Sequence, residues 1–80
     1  MGAFPIRIPK VSLAIHEATL LGHIVEEGGK VNEGDPLFRI ETEKVETEVA
    51  SPASGVVHWT AAVDETYPVG TQIGVIDTGD

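Results

Sequence analysis

The side-chain alternation of residues 38–49 changes phase around Lys44, and a strand-forming chain has few ways to accommodate that. Upstream, the apolar residues Phe38 and Ile40 occupy even positions; downstream, Val45 and Val49 occupy odd ones. Alternate side chains of a strand share a face, so the chain must either slip or reverse between the two runs. Reversal as a two-residue hairpin, with Glu43 and Lys44 in the loop, sets Thr42 opposite Val45, Ile40 opposite Thr47 and Phe38 opposite Val49. Both strands then contribute to one apolar face. On the other face Arg39 opposes Glu48, an attractive pair, and Glu41 opposes Glu46, a repulsive one. This register puts a lysine, flanked by acid, on a protruding turn where a modifying enzyme can reach it.

The rest of the chain is cut into similarly short pieces. Turn signals fall at Pro9, Gly28-Gly29, residues 32–36, Ser51-Pro52-Ala53-Ser54-Gly55 and Pro68-Val69-Gly70. Between them lie β-branched runs: Phe4, Ile6 and Ile8 in alternation, then 20–25, 37–40, 45–49, 56–63 and 73–76. Short strands at this spacing predict an all-β sandwich or barrel. Residues 12–27 resist that assignment, because Ala14, Ala18, Leu21 and Val25 recur at helical spacing.

An internal repeat decides for strand. Residues 33–42 align with 69–78 at an offset of 36, with Gly34 on Gly70, Ile40 on Ile76, Thr42 on Thr78, Leu37 on Ile73 and Glu41 on Asp77. Upstream, the same offset lays Leu20-Leu21 on Val56-Val57 and Val25 on Ala61. The second copy, Gly55, Val56, Val57 and Trp59 after a Ser-Pro turn, is a poor helix and a good strand. Two copies are too few for a solenoid, so one core shared by two half-domains is expected. Lys44 shifted by the repeat falls on Asp80, so an approximate two-fold puts the lysine turn and the C-terminus at opposite ends.

Composition narrows the function. Eighty residues make one domain, 1–80, with a core over about 4–77. A chain of this size buries only about 60% of its unfolded surface, too little for a deep catalytic cleft. There is no cysteine, hence no disulfide, thiolate zinc site or cysteine nucleophile. Thirteen acidic against five basic residues give a formal charge of -8, a field that repels nucleic acid and anionic membranes. No apolar run approaches the roughly 20 residues of a membrane helix, and no secretory signal is visible.

With these residues in view, Ile40-Glu41-Thr42-Glu43-Lys44-Val45 followed by Ser51-Pro52-Ala53-Ser54-Gly55-Val56-Val57 resembles the lipoyl domain of 2-oxo acid dehydrogenase acyltransferases. Residues 9–13 look like that family's first strand and loop, 25–31 like its Glu-Gly-Asp-X-Val turn, and Val69-Gly70 like its final turn. The resemblance spans about Ile6 to Ile76. It implies a flattened barrel-sandwich hybrid of two four-stranded antiparallel sheets with a pseudo-two-fold axis. It also implies that Lys44 carries lipoic acid in amide linkage. The dithiolane then serves a thiamine-dependent 2-oxo acid decarboxylase, an acyltransferase catalytic domain and a dihydrolipoyl dehydrogenase, after attachment by a lipoate ligase or lipoyl transferase. Such a domain is a carrier within a larger acyltransferase; its cofactor performs the chemistry. The bacterial cytoplasm or the mitochondrial matrix is the expected compartment.

The resemblance also implies recognition residues: Glu41, Thr42, Glu43 and Val45 on the hairpin, and Ser12, Leu13, Ala14, Ile15, His16 and Glu17 in a loop beside it. That loop looks closer to pyruvate or acetoin types than to the Gly-Glu-Ser pattern of 2-oxoglutarate types. The sequence departs from the family pattern at Glu43, usually aspartate, at Ala18, often glycine, at Gly29, often aspartate, and at His23, commonly tryptophan.

Other readings are weaker. A biotin carboxyl carrier shares the lysine hairpin but usually sets methionine on both sides of the lysine, where this chain has Glu43 and Val45. An unmodified barrel-sandwich assembly domain is the remaining alternative. A lone turn lysine is ordinarily a solvated charge, and Lys10 and Lys30 keep that reading. Glu41, Glu43, Glu46 and Glu48 alternate onto a solvated face that discourages edge aggregation rather than gathering a metal. His16, His23 and His58 lack zinc spacing, and a Ser12–His16–Asp triad has nothing to fix it. Trp59 reads as a packing residue, and Gly34, Gly55 and Gly70 as turn glycines.

Overall fold

The computed structural model describes residues 2–11 and 14–79. It consists of eight strands: β1 (Ala3–Arg7), β2 (Glu17–His23), β3 (Lys30–Val31), β4 (Pro36–Glu41), β5 (Glu46–Ala50), β6 (Gly55–Trp59), β7 (Glu65–Pro68) and β8 (Gln72–Asp77). They form two four-stranded antiparallel sheets, ordered β1-β8-β6-β3 and β5-β4-β2-β7. Advancing each strand of the first order by four places, cyclically, reproduces the second. This is the signature of a pseudo-two-fold, and it confirms the flattened barrel-sandwich with a shared core. The helical periodicity of residues 12–27 is overridden: 17–23 is a strand held between β4 and β7. Sequence alternation missed β3, which has two residues, and β7, whose Glu-Thr-Tyr-Pro run has no apolar alternation.

The repeat is visible residue by residue. β4 and β8 are offset by 36 from end to end. Both carry a bulge at the matching position, Leu37 against β5 and Ile73 against β1. An extra residue turns two consecutive side chains inward, which is why Leu37-Phe38 and Ile73-Gly74 are buried as adjacent pairs. One alignment needs correction. β2 bulges at Leu21, so Leu20 opposite Ile40 is the counterpart of Val57 opposite Ile76. Laying Leu20 on Val56 is thus one residue out upstream of the bulge. Leu20, Ile40, Val57 and Ile76 are fully buried in one cluster with Ile6, Ile8, Leu37, Phe38 and Ile73. Burial of each such side chain contributes about 1.5–3 kcal/mol.

The two halves touch through their symmetry mates His23 and Trp59. The rings stack with centroids 4.0 Å apart and planes within 3°. Phe38 meets the Trp59 edge at 6.1 Å. Its own counterpart is Gly74, where a Cβ would come within 2.6 Å of the His58 carbonyl and 3.2 Å of the Trp59 ring. Each half therefore supplies one large ring, Phe38 from β4 and Trp59 from β6. The indole N–H donates to the Val25 carbonyl at 2.8 Å. Glu27 clamps the turn after β2 onto β6: its carboxylate accepts the Trp59 N–H at 2.6 Å and lies 2.8 Å from His58 Nδ1.

The Ser-Pro-X-Ser-Gly segment ties two turns together. The Ser51 hydroxyl donates to the Ala53 carbonyl at 2.6 Å, and Ser54 Oγ accepts the Glu33 N–H at 2.8 Å. Gly55 lies so close to β8 that a Cβ would sit 2.2 Å from the Asp77 carbonyl oxygen. Gly70, at φ 91°, has open space around it.

Two predictions follow from this packing. Gly55→Ala must move backbone and costs about 2–3 kcal/mol, whereas Gly70→Ala carries only left-handed strain of about 1–2 kcal/mol; urea unfolding measures both. Acid weakens the fold in two steps. Burial lowers the His23 pKa below its ordinary 6.5, opposed in part by a hydrogen bond to the Ala61 backbone and by Glu27. The unfolded chain then binds the proton first, so stability falls as pH drops below that value. The Trp59 N–H and then His58 hold the Glu27 carboxyl below its ordinary 4.5, so its contribution is present above that pH and lost beneath it. Melting temperature against pH should lose the first step in His23→Phe and the second in Glu27→Gln.

Candidate functional site

Lys44 stands on the β4–β5 turn in the register expected from the alternation. Phe38 pairs with Val49, Arg39 with Glu48, Ile40 with Thr47 and Glu41 with Glu46. The Thr42 N–H donates to the Val45 carbonyl at 2.8 Å, and Thr42 Oγ1 accepts the Val45 N–H at 3.3 Å. Glu43 and Lys44 are left as the two exposed loop residues. The expected attraction between Arg39 and Glu48 takes a different form. Arg39 forms its ion pair with Glu46, diagonally across the strands. That choice also offsets the repulsion of Glu46 by Glu41, since Glu46 gains a cation of its own. The pair is solvent-exposed and adds little stability.

The acidic residues of the hairpin, Glu41, Glu43, Glu46 and Glu48, are all exposed. The two ion pairs among the described residues join Arg39 to Glu46 and His58 to Glu27, so none restrains Lys44. A free, solvated amine at the tip of a fixed turn suits covalent attachment of a flexible group.

A second segment reaches the same place. Ala14, Ile15, His16 and Glu17, with Thr42, Glu43, Lys44 and Val45, line a groove of about 430 Å³. Ser12 and Leu13 lie outside the described residues. The groove has a physical origin in neighbouring strands: β2 begins at Glu17 beside β4, and Thr19 pairs with Glu41. The other side of β2 is held by β7, with Glu17 opposite Pro68 and the His16 carbonyl accepting the Val69 N–H at 2.9 Å. Of the expected recognition residues, the groove thus gathers three of the four on the hairpin, Thr42, Glu43 and Val45, and four of the six in the loop; Glu41 lies outside it, exposed between Thr19 and Glu46. The grooming of this wall by β7 was invisible in the sequence, because β7 carries no strand pattern.

The far pole is equally defined. β8 starts beside the corner where the Ile8 N–H donates to the Thr71 carbonyl, and ends where the Thr78 N–H donates to the Gly2 carbonyl. Residues 77–79 line a separate groove with 30–32 and 54–56. β4 and β5 run from the lysine turn to Pro36 and Ala50, and the Ser51–Gly55 corner that follows meets the end of β8 where Val56 pairs with Asp77, so that end lies away from the lysine turn.

Thr42→Val removes the side-chain acceptor of the Val45 N–H and should cost about 0.5–1.5 kcal/mol. Amide exchange of Val45 should accelerate, with exchange in β6 and β8 unchanged.

Comparison with known proteins agrees with this geometry. The family model described as "Biotin-requiring enzyme", of the biotin/lipoyl type, matches residues 5–76. The chain is 34% identical over 76 residues to the dihydrolipoyllysine-residue acetyltransferase component of the acetoin cleaving system of Pseudomonas putida, covering 94% of this chain and 20% of that protein. It is 33% identical over 79 residues to the acetyltransferase component of the pyruvate dehydrogenase complex of Corynebacterium glutamicum, covering 98% and 12%. It is 31% identical over 75 residues to the succinyltransferase component of the 2-oxoglutarate dehydrogenase complex of Staphylococcus saprophyticus, covering 92% and 18%. The chain thus spans a fifth or less of the length of these relatives. On a match that runs through all eight strands, the chain belongs to the biotin/lipoyl attachment family.

Proposed function

We propose that this chain is a lipoyl carrier domain of a 2-oxo acid dehydrogenase complex, of pyruvate or acetoin type, with Lys44 as its attachment point. The observation that carries the reading is the free amine of Lys44 on a hairpin turn fixed by the Thr42–Val45 hydrogen bonds. Relatives named for dihydrolipoyllysine support lipoate over biotin, as do Glu43 and Val45 in the places where biotin carriers usually have methionine. The residues fit the group: an amide on Nζ removes one exposed charge and disturbs no contact among the described residues.

Lipoic acid supplies a dithiolane that accepts acyl groups and electrons when bound. The chain's own residues present and identify it. Thr42 and Val45 hold the turn, so Lys44 Nζ projects from a rigid base on a flexible stem. The acid of Glu41, Glu43, Glu46 and Glu48 favours partners that offer basic surfaces and discourages pairing of the β5 edge. Residues 12–17 form the second half of the address, read by the decarboxylase. A ligase or lipoyl transferase, the decarboxylase, the acyltransferase catalytic domain and dihydrolipoyl dehydrogenase are the partners. Carriage within a larger protein raises the effective concentration of the lysine arm at each site. The bacterial cytoplasm or the mitochondrial matrix is the compartment this reading assigns.

Intact mass of the chain after incubation with lipoate, ATP and lipoate ligase should show one added lipoyl group. Lys44→Arg should remain at its unmodified mass, and biotin ligase with biotin should add nothing to either. Lipoylation of the arginine variant, or biotinylation of the unmutated chain, contradicts the proposal.

A further inference from the structure

The groove beside Lys44 has a lining more apolar than polar. Its floor and sides include Ala14, Ile15 and Val45, and Val45 is 48% exposed although it directly follows the lysine. An exposed β-branched residue in an otherwise acidic hairpin leaves apolar surface in water that a ligand can cover. The volume of about 430 Å³ lies within the range of small-molecule sites. Both walls are fastened. His16 is tied to Val69 and Glu17 is paired with Pro68, while the hairpin closes through Thr42 and Val45. The groove is therefore a standing feature of the sheet edge.

We propose that this groove is a resting dock for the apolar end of the arm carried on Lys44, a proposal that rests on the lipoyl-carrier reading. The occupant follows from the lining: Lys44 is itself one wall, so whatever its amine carries is held next to the groove at high effective concentration. The chemistry of the wall selects a neutral, aliphatic group. Ala14, Ile15 and Val45 supply contact area, whereas the carboxylates of Glu17 and Glu43 at the rim repel an anion. A closed dithiolane on an alkyl chain satisfies both conditions. Docked, the disulfide is partly shielded from solvent; a partner that binds residues 14–17 and the hairpin competes for the same surface and so releases the arm on arrival.

The test uses the lipoylated chain, its loading verified by intact mass, with isotope-labelled methyl groups. Nuclear Overhauser contacts are expected from the dithiolane ring protons to the methyls of Ile15 and Val45. In Ile15→Asp these contacts should vanish, and the arm should tumble as freely as lipoamide in solution, while the amide spectrum of the strands is retained. Ala14→Asp, at an exposed position, serves the same purpose should the first variant fail to fold. Full loading without contacts beyond the lysine's own methylenes overturns the dock and leaves the carrier reading intact, as do contacts that persist in the aspartate variants. A chain that resists lipoylation overturns the carrier reading and the dock together.

Discussion

The burial of Leu20, Ile40, Val57 and Ile76 in one cluster drawn from both sheets is the constraint on which the rest of the domain depends. Neither repeat can cover its own apolar face, and a chain of 80 residues has no second core to fall back on. The matched bulges at Leu37 and Ile73 follow from that need, since each turns an additional residue inward at the middle of its sheet. Where strict symmetry would overfill the interior, the halves differ. Gly74 yields space to Trp59, and His23, opposite Phe38 in the β2–β4 register, lays a smaller ring flat on the indole.

From that core the position of the lysine turn is a matter of register. Ile40 and Thr47 must face inward together, which leaves Glu43 and Lys44 as the residues that reverse the chain. Presentation, then, requires no special loop structure; it is the outward end of the packing that stabilises β4 and β5. The same sheet supplies the second wall through β2, which β7 holds from its other side. The clamp formed by Glu27, His58 and Trp59 and the Ser51–Ser54 corner hold the molecule together, while the acid of the lysine end is left to solvent.

Much of this was legible in the sequence, and the failures have identifiable causes. The phase change at Lys44 specified the hairpin and its pairing because period-two alternation is unambiguous where one face is buried. The offset of 36 located the pseudo-two-fold, and the Ser-Pro-X-Ser-Gly turn fell where expected. Bulges defeated the alignment of Leu20, because an inserted residue shifts the phase without leaving a compositional mark. β3 and β7 escaped because two residues cannot show periodicity and Tyr67-Pro68 does not alternate. Arg39 stands opposite Glu48 as expected but forms its ion pair with Glu46, because a long guanidinium side chain reaches a diagonal neighbour as readily as the residue opposite it. The groove was half visible, its residues named through a family likeness but its anchoring by His16 and Val69 hidden, since backbone hydrogen bonds between distant turns have no sequence signature.

In the proposed carrier, the place of the lysine on the turn, more than the acidic sequence around it, makes it the attachment point. The double variant Glu43→Lys/Lys44→Glu tests this most directly, because it preserves composition, net charge and the two-residue loop while moving the amine by one position. The expected result is a folded domain, verified by an unchanged amide spectrum in β2, β4 and β8, that lipoate ligase leaves at its unmodified mass. Lipoylation of the displaced lysine at the unmutated rate would contradict it.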